Sequence, residues 1–191
     1  HLDAAIDLLH EYALSVVAFT GQLGATPDEF ERNCEIAAEL DAPLLVGQAP
    51  LASRKRGFVV TTLQKYGLRW AYENHTEKTA GEILSSAGGR GEGTIGICAD
   101  VGWFGTYQLD AEAILRELAP RLLHVHLKDV RSAGEHVTCR FGDGIVPLER
   151  CVQVLKEVGY QGALTLEHEP ELFDPNDDIR ASLELLNTWL A

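Results

Sequence analysis

Short β-branched segments alternate with longer amphipathic segments along most of this chain. Six apolar runs have the length and composition of strands, at residues 15–20, 43–48, 68–73, 95–100, 122–127 and 163–168. Most of the segments between them, and the two ends of the chain, space their apolar residues as helices do. Alternation of this kind indicates a parallel sheet with right-handed crossovers. Both a doubly wound sheet and a (β/α)8 barrel satisfy the pattern.

Two segments between the strands lack a clear helical pattern. Residues 49–67 contain the run RGFVVTTLQKYG, whose β-branched residues and glycine are weak helix formers, so a shortened or irregular connection is predicted there. The run GGRGEG at residues 88–93 lies before a strand rather than after one. This is the wrong context for a dinucleotide-binding turn, and we interpret it as a loop.

Composition and charge exclude several classes of function. The 191 residues are 46% hydrophobic, which is ordinary for a globular domain, and no apolar run reaches the roughly 18 residues of a membrane span. The 29 acidic and 16 basic residues give a net charge of −13, which would repel a nucleic-acid backbone. The four cysteines have no C-x-x-C spacing, so reduced thiols and a cytoplasmic location are expected.

Side chains that can bind a metal ion lie at the C-terminal ends of four successive strand candidates. They are Glu73, Asp100, His126 and Glu167. In parallel barrels, functional groups collect at this end of the strands. The residue two positions before each of these four side chains points to the same face of its strand, and it is small or polar, as the narrow interior of a barrel requires. Three carboxylates and one imidazole suit Mn²⁺, Mg²⁺ or Co²⁺ better than a structural zinc, although Zn²⁺ is also accepted by such ligands. The sequence therefore predicts one divalent metal ion at this edge.

Four segments together resemble the xylose isomerase-like TIM barrels, the sugar isomerase and epimerase group that also includes endonuclease IV. The segments are YENH, CADVGWF, HVHLKDV and GDGIVPLERCVQVLKEVGYQGALTLEHE. The resemblance runs from about Ser15 to the C-terminus and is strongest from Arg69 onward. It implies an α/β fold of the (β/α)8 TIM-barrel type and a metal ion held by Glu73, Asp100, His126 and Glu167. It also implies that the two glutamates act as acid and base on opposite sides of the substrate.

The chain departs from this family in two respects. If the last strand candidate is the eighth of the barrel, only six of the eight parallel strands are present, so residues 1–191 are expected to form a single, N-terminally truncated TIM-barrel domain. The exposed edge should then be covered by the opening helix, by a partner chain in a homo-oligomer or by further segments. In addition, Trp103 stands where family members commonly have a histidine that contacts the substrate. Together with the net charge, this argues against a role in DNA repair.

The resemblance implies a divalent-metal-dependent sugar isomerase or epimerase. Such an enzyme removes a proton next to a carbonyl and passes through an enediolate that the metal ion stabilises. The candidates for contact with a sugar or polyol substrate are His75, Trp103, Lys128, Arg140 and Glu169. Two alternatives stay open: a metal-dependent lyase or dehydratase acting on a keto-sugar or inosose, and an inactive barrel fragment.

Overall fold

The structure is a computed structural model that describes residues 2–170 and 172–191, apart from the side chain of Glu92. Its helices are α1 (Leu2–Glu11), α2 (Pro27–Glu39), α3 (Ala52–Tyr66), α4 (Ala80–Ala87), α5 (Val101–Thr106), α6 (Ala111–Leu118), α7 (Leu148–Glu157) and α8 (Asn176–Leu190). Its strands are β1 (Phe19–Thr20), β2 (Leu44–Val46), β3 (Arg69–Glu73), β4 (Ile95–Asp100), β5 (Leu122–Leu127), β6 (Asp129–Ser132), β7 (Glu135–Cys139) and β8 (Leu164–Leu166). Within the described ranges, no helix is both long and apolar enough to cross a membrane.

Six strands form one sheet in the order β1-β2-β3-β4-β5-β8. The registered pairs β1–β2, β2–β3, β4–β5 and β5–β8 are all parallel, and helices connect the successive strands of the sheet. The remaining two strands, β6 and β7, form a separate antiparallel pair between β5 and α7. The prediction of six parallel strands in barrel order is therefore confirmed.

The chain divides into two compact units. The first runs to Glu73 and includes Ala87–Gly96. Its core is built from α2, β2, α3 and β3 around Phe30 and Trp70, which are almost completely buried. The indole Nε1 of Trp70 donates a hydrogen bond of 2.9 Å to the carbonyl of Gly47, so this large side chain is buried without leaving its polar atom unsatisfied.

Within residues 49–67, the helix α3 spans Ala52–Tyr66, so apart from one kink the prediction of a shortened or irregular connection there is wrong. The helix α3 has a single kink at Lys55, where φ is −134° and ψ is 48°. Val59 and Leu63 lie one turn apart and are both fully buried. The burial of this face stabilises the helix by more than the weak intrinsic propensity of its β-branched residues costs.

The second unit comprises Asn74–Ser86 and Ile97–Ala191. Helix α7 packs an apolar face against the interior of this unit, with Leu148, Cys151, Val152 and Leu155 buried. Helix α6 begins at a side-chain cap, because the Asp110 side chain accepts a 3.0 Å hydrogen bond from the backbone N–H of Ala113. This unit carries most of the candidate functional residues.

Candidate active site

Three of the predicted metal ligands meet at the C-terminal edge of the sheet in the second unit. Asp100 is the last residue of β4 and pairs in register with His126 on β5, while Glu167 directly follows β8. Asp100, His126 and Glu167 each offer one ligand atom, and these atoms lie within 4.8 Å of one another. Parallel strands in register bring their C-terminal side chains to the same edge, which is why residues far apart in sequence converge here.

Asp100 is held in place by hydrogen bonds to Asn74, the residue that directly follows β3. The buried side chain of Asn74 donates a hydrogen bond to the Asp100 carbonyl at 3.1 Å and accepts one from its N–H at 3.0 Å. The Asp100 carboxylate in turn accepts from the backbone of Gly102 at 2.8 Å and so caps α5. This role of Asn74 was not predicted from the sequence. Glu73, the residue before it, is the last residue of β3 and is also buried.

The carboxylate of Glu167 lies against the imidazole of His126. Glu167 Oε2 is 2.9 Å from His126 Nδ1, but no described residue donates a well-directed hydrogen bond to this buried oxygen. Burial alone would raise the pKa of Glu167, but His126 and the charge of Lys128 outweigh it and lower the pKa to about 2. Behind them, His124 is buried, and its Nε2 lies 2.8 Å from the hydroxyl of Thr165. Glu167 is therefore ionised at neutral pH.

Lys128 lies among the acidic side chains of this site. Its ammonium group is 2.8 Å from Glu167, 3.3 Å from Asp100 and 3.5 Å from Glu169, and its side chain is almost completely buried. Burial would lower the pKa of Lys128, but the charges of Asp100 and Glu167 raise it, so the ammonium stays charged. A Cβ atom on Gly102 would lie only 2.8–2.9 Å from the Lys128 side chain. Glycine at position 102 thus leaves room for the lysine.

Of the other predicted substrate contacts, His75 and Trp103 lie close to each other, Glu169 lies beside Lys128, and Arg140 has its described ion pair elsewhere. Trp103 is half-buried in α5, and its ring lies 5.6 Å from that of His75. Glu169 remains largely exposed beside Lys128. Arg140 is exposed and pairs with Asp143 at 3.2 Å, and no contact described for it links it to Asp100, Glu167 or Lys128.

His136 is a candidate that the sequence analysis missed. It lies on β7, and its ring stacks flat on Trp103 with 3.7 Å between centroids and 7° between planes. Burial, together with the charge of Lys128, lowers the pKa of His136 to about 4, so it is neutral at pH 7. A signal for this hairpin exists in the sequence: DVRS and EHVTC are separated by Ala133 and Gly134, which is the spacing of a two-residue turn.

The donor set of the second unit fits a divalent cation. Two carboxylates and one imidazole are ligands that Mn²⁺, Mg²⁺ and Co²⁺ accept. The unsatisfied Oε2 of Glu167 and the nearby Nδ1 of His126 are two atoms whose lone pairs a single cation would satisfy together. Asp100, His126 and Glu167 could therefore hold such an ion.

Known proteins resemble this chain in sequence and in fold. One curated relative, the L-ribulose-5-phosphate 3-epimerase UlaE of Escherichia coli, is 34% identical over 68 residues, which are 36% of this chain and 24% of that relative. A solved D-tagatose 3-epimerase-like protein is 17% identical with a TM-score of 0.79, over 99% of this chain and 82% of that one. The probable 3-DHS dehydratase AsbF of Bacillus anthracis is 16% identical with a TM-score of 0.69, over 96% of this chain and 80% of its own.

The sequence model of one family extends over almost the whole chain. This family is described as the xylose isomerase-like TIM barrel, and its model matches residues 4–189. The six parallel strands of the sheet and the convergence of Asp100, His126 and Glu167 agree with that match. The chain belongs to the xylose isomerase-like TIM barrel family.

Proposed function

We propose that this chain is a divalent-metal-dependent enzyme that isomerises or epimerises a sugar by moving a proton next to its carbonyl. The observation that carries the proposal is the convergence of Asp100, His126 and Glu167 with the buried ammonium of Lys128. The match to the xylose isomerase-like TIM barrel family and the similarity to an L-ribulose-5-phosphate 3-epimerase support it.

We infer that Glu73, Asp100, His126 and Glu167 hold the metal ion. Glu73 is included because it directly precedes Asn74, whose side chain is bonded to the backbone of Asp100. A bound Mn²⁺, Mg²⁺ or Co²⁺ would stabilise negative charge on the oxygen of the substrate carbonyl. All four cysteines are free thiols, which agrees with a reducing compartment, and we place the enzyme in the cytoplasm.

In the proposed reaction the two glutamates exchange protons with the substrate from opposite faces. Glu167, ionised at neutral pH, accepts the proton from the carbon next to the carbonyl, and Glu73 delivers a proton to give the isomer or epimer; Glu167 then releases its proton to solvent and Glu73 takes one up, which restores both groups. A carboxylate with a pKa near 2 is a weak base while Lys128 lies 2.8 Å from it. If the ammonium of Lys128 turns to donate to a substrate oxygen, it stabilises charge there and makes Glu167 a stronger base. His75, Trp103 and Glu169 would line the substrate.

Metal binding is the first test of this proposal. We expect about one Mn²⁺, Mg²⁺ or Co²⁺ per chain in elemental analysis after dialysis without chelator, and a higher melting temperature with millimolar Mn²⁺. Glu167→Gln should reduce both the metal content and the Mn²⁺-induced shift. Glu184→Gln, which changes an exposed residue of α8, is the matched control and should change neither. If the wild-type chain binds no metal and shows no shift, the inactive-fragment interpretation replaces this one.

The type of reaction is tested by proton NMR in D₂O with D-tagatose, D-fructose and L-ribulose. Exchange of the proton next to the carbonyl, together with an epimeric or isomeric product, supports the proposal. A dehydrated or unsaturated product would instead establish the lyase alternative. The fold does not separate the two, since both an epimerase-like protein and a probable dehydratase share it.

A further inference from the structure

Two of the proposed metal ligands, Asp100 and Glu167, also bind the ammonium group of Lys128. Lys128 Nζ lies 2.8 Å from Glu167 Oε1 and 3.3 Å from Asp100 Oδ2. The other oxygen of Asp100 is engaged by the helix cap, because Oδ1 accepts a 2.8 Å hydrogen bond from the backbone N–H of Gly102. Oδ2 is therefore the better placed of the two oxygens to bind a metal ion, and it is the one that faces the ammonium.

A divalent cation and this ammonium would repel each other strongly at the two carboxylates. The side chain of Lys128 is only 5% exposed and that of Asp100 only 1%, so water and salt screen their charges poorly. At such short range, two positive charges in a buried site disfavour each other by much more than they do at the surface. Metal binding at Asp100 and Glu167 therefore requires the ammonium of Lys128 to move away.

Glu169 offers Lys128 a second carboxylate within reach. Its Oε2 lies 3.5 Å from Lys128 Nζ, on a side chain that is 69% exposed. This contact is longer than the about 2.8 Å of a close charge-assisted hydrogen bond, so it can shorten when the ammonium leaves Asp100. The backbone N–H of Glu169 donates a 3.1 Å hydrogen bond to the hydroxyl of Thr138, which keeps Glu169 beside the lysine.

We propose that Lys128 is an internal cation with two positions, on Asp100 and Glu167 in the metal-free chain and on Glu169 in the metal-loaded chain. The inference rests on the proposed function, because it requires a metal ion at Asp100, His126 and Glu167. Lys128 then lowers the affinity of the site for the metal ion. Glu169 restores part of that affinity without being a ligand, because it receives the displaced ammonium.

Calorimetric titration with Mn²⁺ at pH 7 tests this exchange in the wild type, Lys128→Met, Glu169→Gln and the double variant. Methionine keeps an unbranched side chain at position 128 but removes its charge. We expect Lys128→Met to bind Mn²⁺ at least about tenfold more tightly than the wild type, because the repulsion is gone. Glu169→Gln should bind Mn²⁺ about three- to tenfold more weakly, because the displaced ammonium loses its acceptor.

The double variant shows whether Glu169 acts through Lys128. In the Lys128→Met background, Glu169→Gln should change the Mn²⁺ affinity by less than about twofold, since no ammonium remains to be received. Glu135→Gln is the matched control: it removes another exposed carboxylate, on β7, and should leave the affinity of the wild type unchanged. Equal losses from Glu169→Gln in both backgrounds would overturn the proposal. So would a Lys128→Met chain that binds Mn²⁺ no more tightly than the wild type.

Crystals of the wild-type chain grown with and without Mn²⁺ give a second test that needs no substitution. With Mn²⁺ bound, Lys128 Nζ should lie closer to the Glu169 carboxylate than to Asp100 Oδ2. An ammonium that stays on Asp100 in the metal-loaded crystal refutes the exchange.

The Mn²⁺ titration also separates this proposal from the proposed function. If the wild type does not bind Mn²⁺, or if Glu167→Gln binds it equally well, the proposed function fails and the exchange falls with it. If Mn²⁺ binds and Glu167→Gln weakens it, but Lys128→Met does not tighten it, the exchange alone is refuted.

Discussion

Replacing Asp129 by asparagine tests whether one buried carboxylate holds the loop that follows the hairpin. Asp129 is 1% exposed and follows Lys128 directly. One of its oxygens accepts backbone hydrogen bonds from Val130 at 3.0 Å and Val146 at 3.1 Å, and the other accepts from Gly142 at 2.9 Å and Gly144 at 3.1 Å. The loop comes so close that a Cβ atom on Gly144 would lie 2.2 Å from the carboxylate.

The expected magnitude follows from these contacts. Asparagine keeps one accepting oxygen, but its NH₂ group would face either the N–H groups of Gly142 and Gly144 or those of Val130 and Val146. Two hydrogen bonds to a charged group, worth about 1.5–3 kcal/mol each, are then lost. Burial raises the pKa of Asp129 even against its four donors, so removing the charge recovers part of the desolvation cost. We expect a net loss of about 2–4 kcal/mol in the free energy of unfolding.

Urea unfolding at pH 7 measures this loss, and hydrogen exchange at the amides of Gly142 and Gly144 localises it. Asp143→Asn is the matched control, because Asp143 is half-exposed and its carboxylate pairs with Arg140 at the surface of the same loop. Its cost should stay below about 1 kcal/mol. Equal losses for the two variants, or unchanged exchange of the two glycine amides, would refute the reasoning.

Three further predictions follow from the same structure. Because the pKa of Glu167 is lowered to about 2, its contribution to stability is complete above about pH 4.5 and is lost as the pH falls toward 2. Denaturation curves at several pH values in this range should show a free energy of unfolding that falls with pH, and Glu167→Gln should lack this part of the decrease. Gly102→Ala should cost about 1–3 kcal/mol by crowding Lys128, whereas Gly57→Ala, with open space around it in α3, should be neutral or stabilising. Burial raises the pKa of Cys34 to about 12, so this thiol should react with DTNB only after unfolding.

The sequence predicts the strand ends well because they depend on the residue pattern of each strand and little on contacts between distant segments. A strand alternates its faces and ends at a definite residue, and parallel strands share one edge. These two rules suffice to bring Asp100, His126 and Glu167 together, as their positions in the sheet show. The rules also identify Lys128 as a neighbour of the site, two residues beyond His126.

The parts that the sequence analysis missed depend on tertiary contacts. The helix α3 forms because its face is buried, which the propensity of its residues does not reveal. Asn74 has its role only because β3 and β4 end where its amide can reach the backbone of Asp100. His136 enters the site because the hairpin places it over Trp103, a contact between segments 33 residues apart.

The hairpin is joined to the rest of the second unit at its base. Asp129 fixes the start of β6, and near the end of β7 the hydroxyl of Thr138 accepts from the backbone of Glu169 at 3.1 Å and contacts His168 at 3.0 Å. Its tip is anchored as well, because the backbone N–H of Gly134 in the turn donates a 2.8 Å hydrogen bond to the carbonyl of Thr106 at the end of α5. A change at the turn therefore also acts on α5, the helix that the Asp100 carboxylate caps. A new sequence grafted between Asp129 and Thr138 would therefore have to keep the hydrogen bond from position 134 to Thr106, as well as the contacts at the base of the hairpin, for α5 to stay in place.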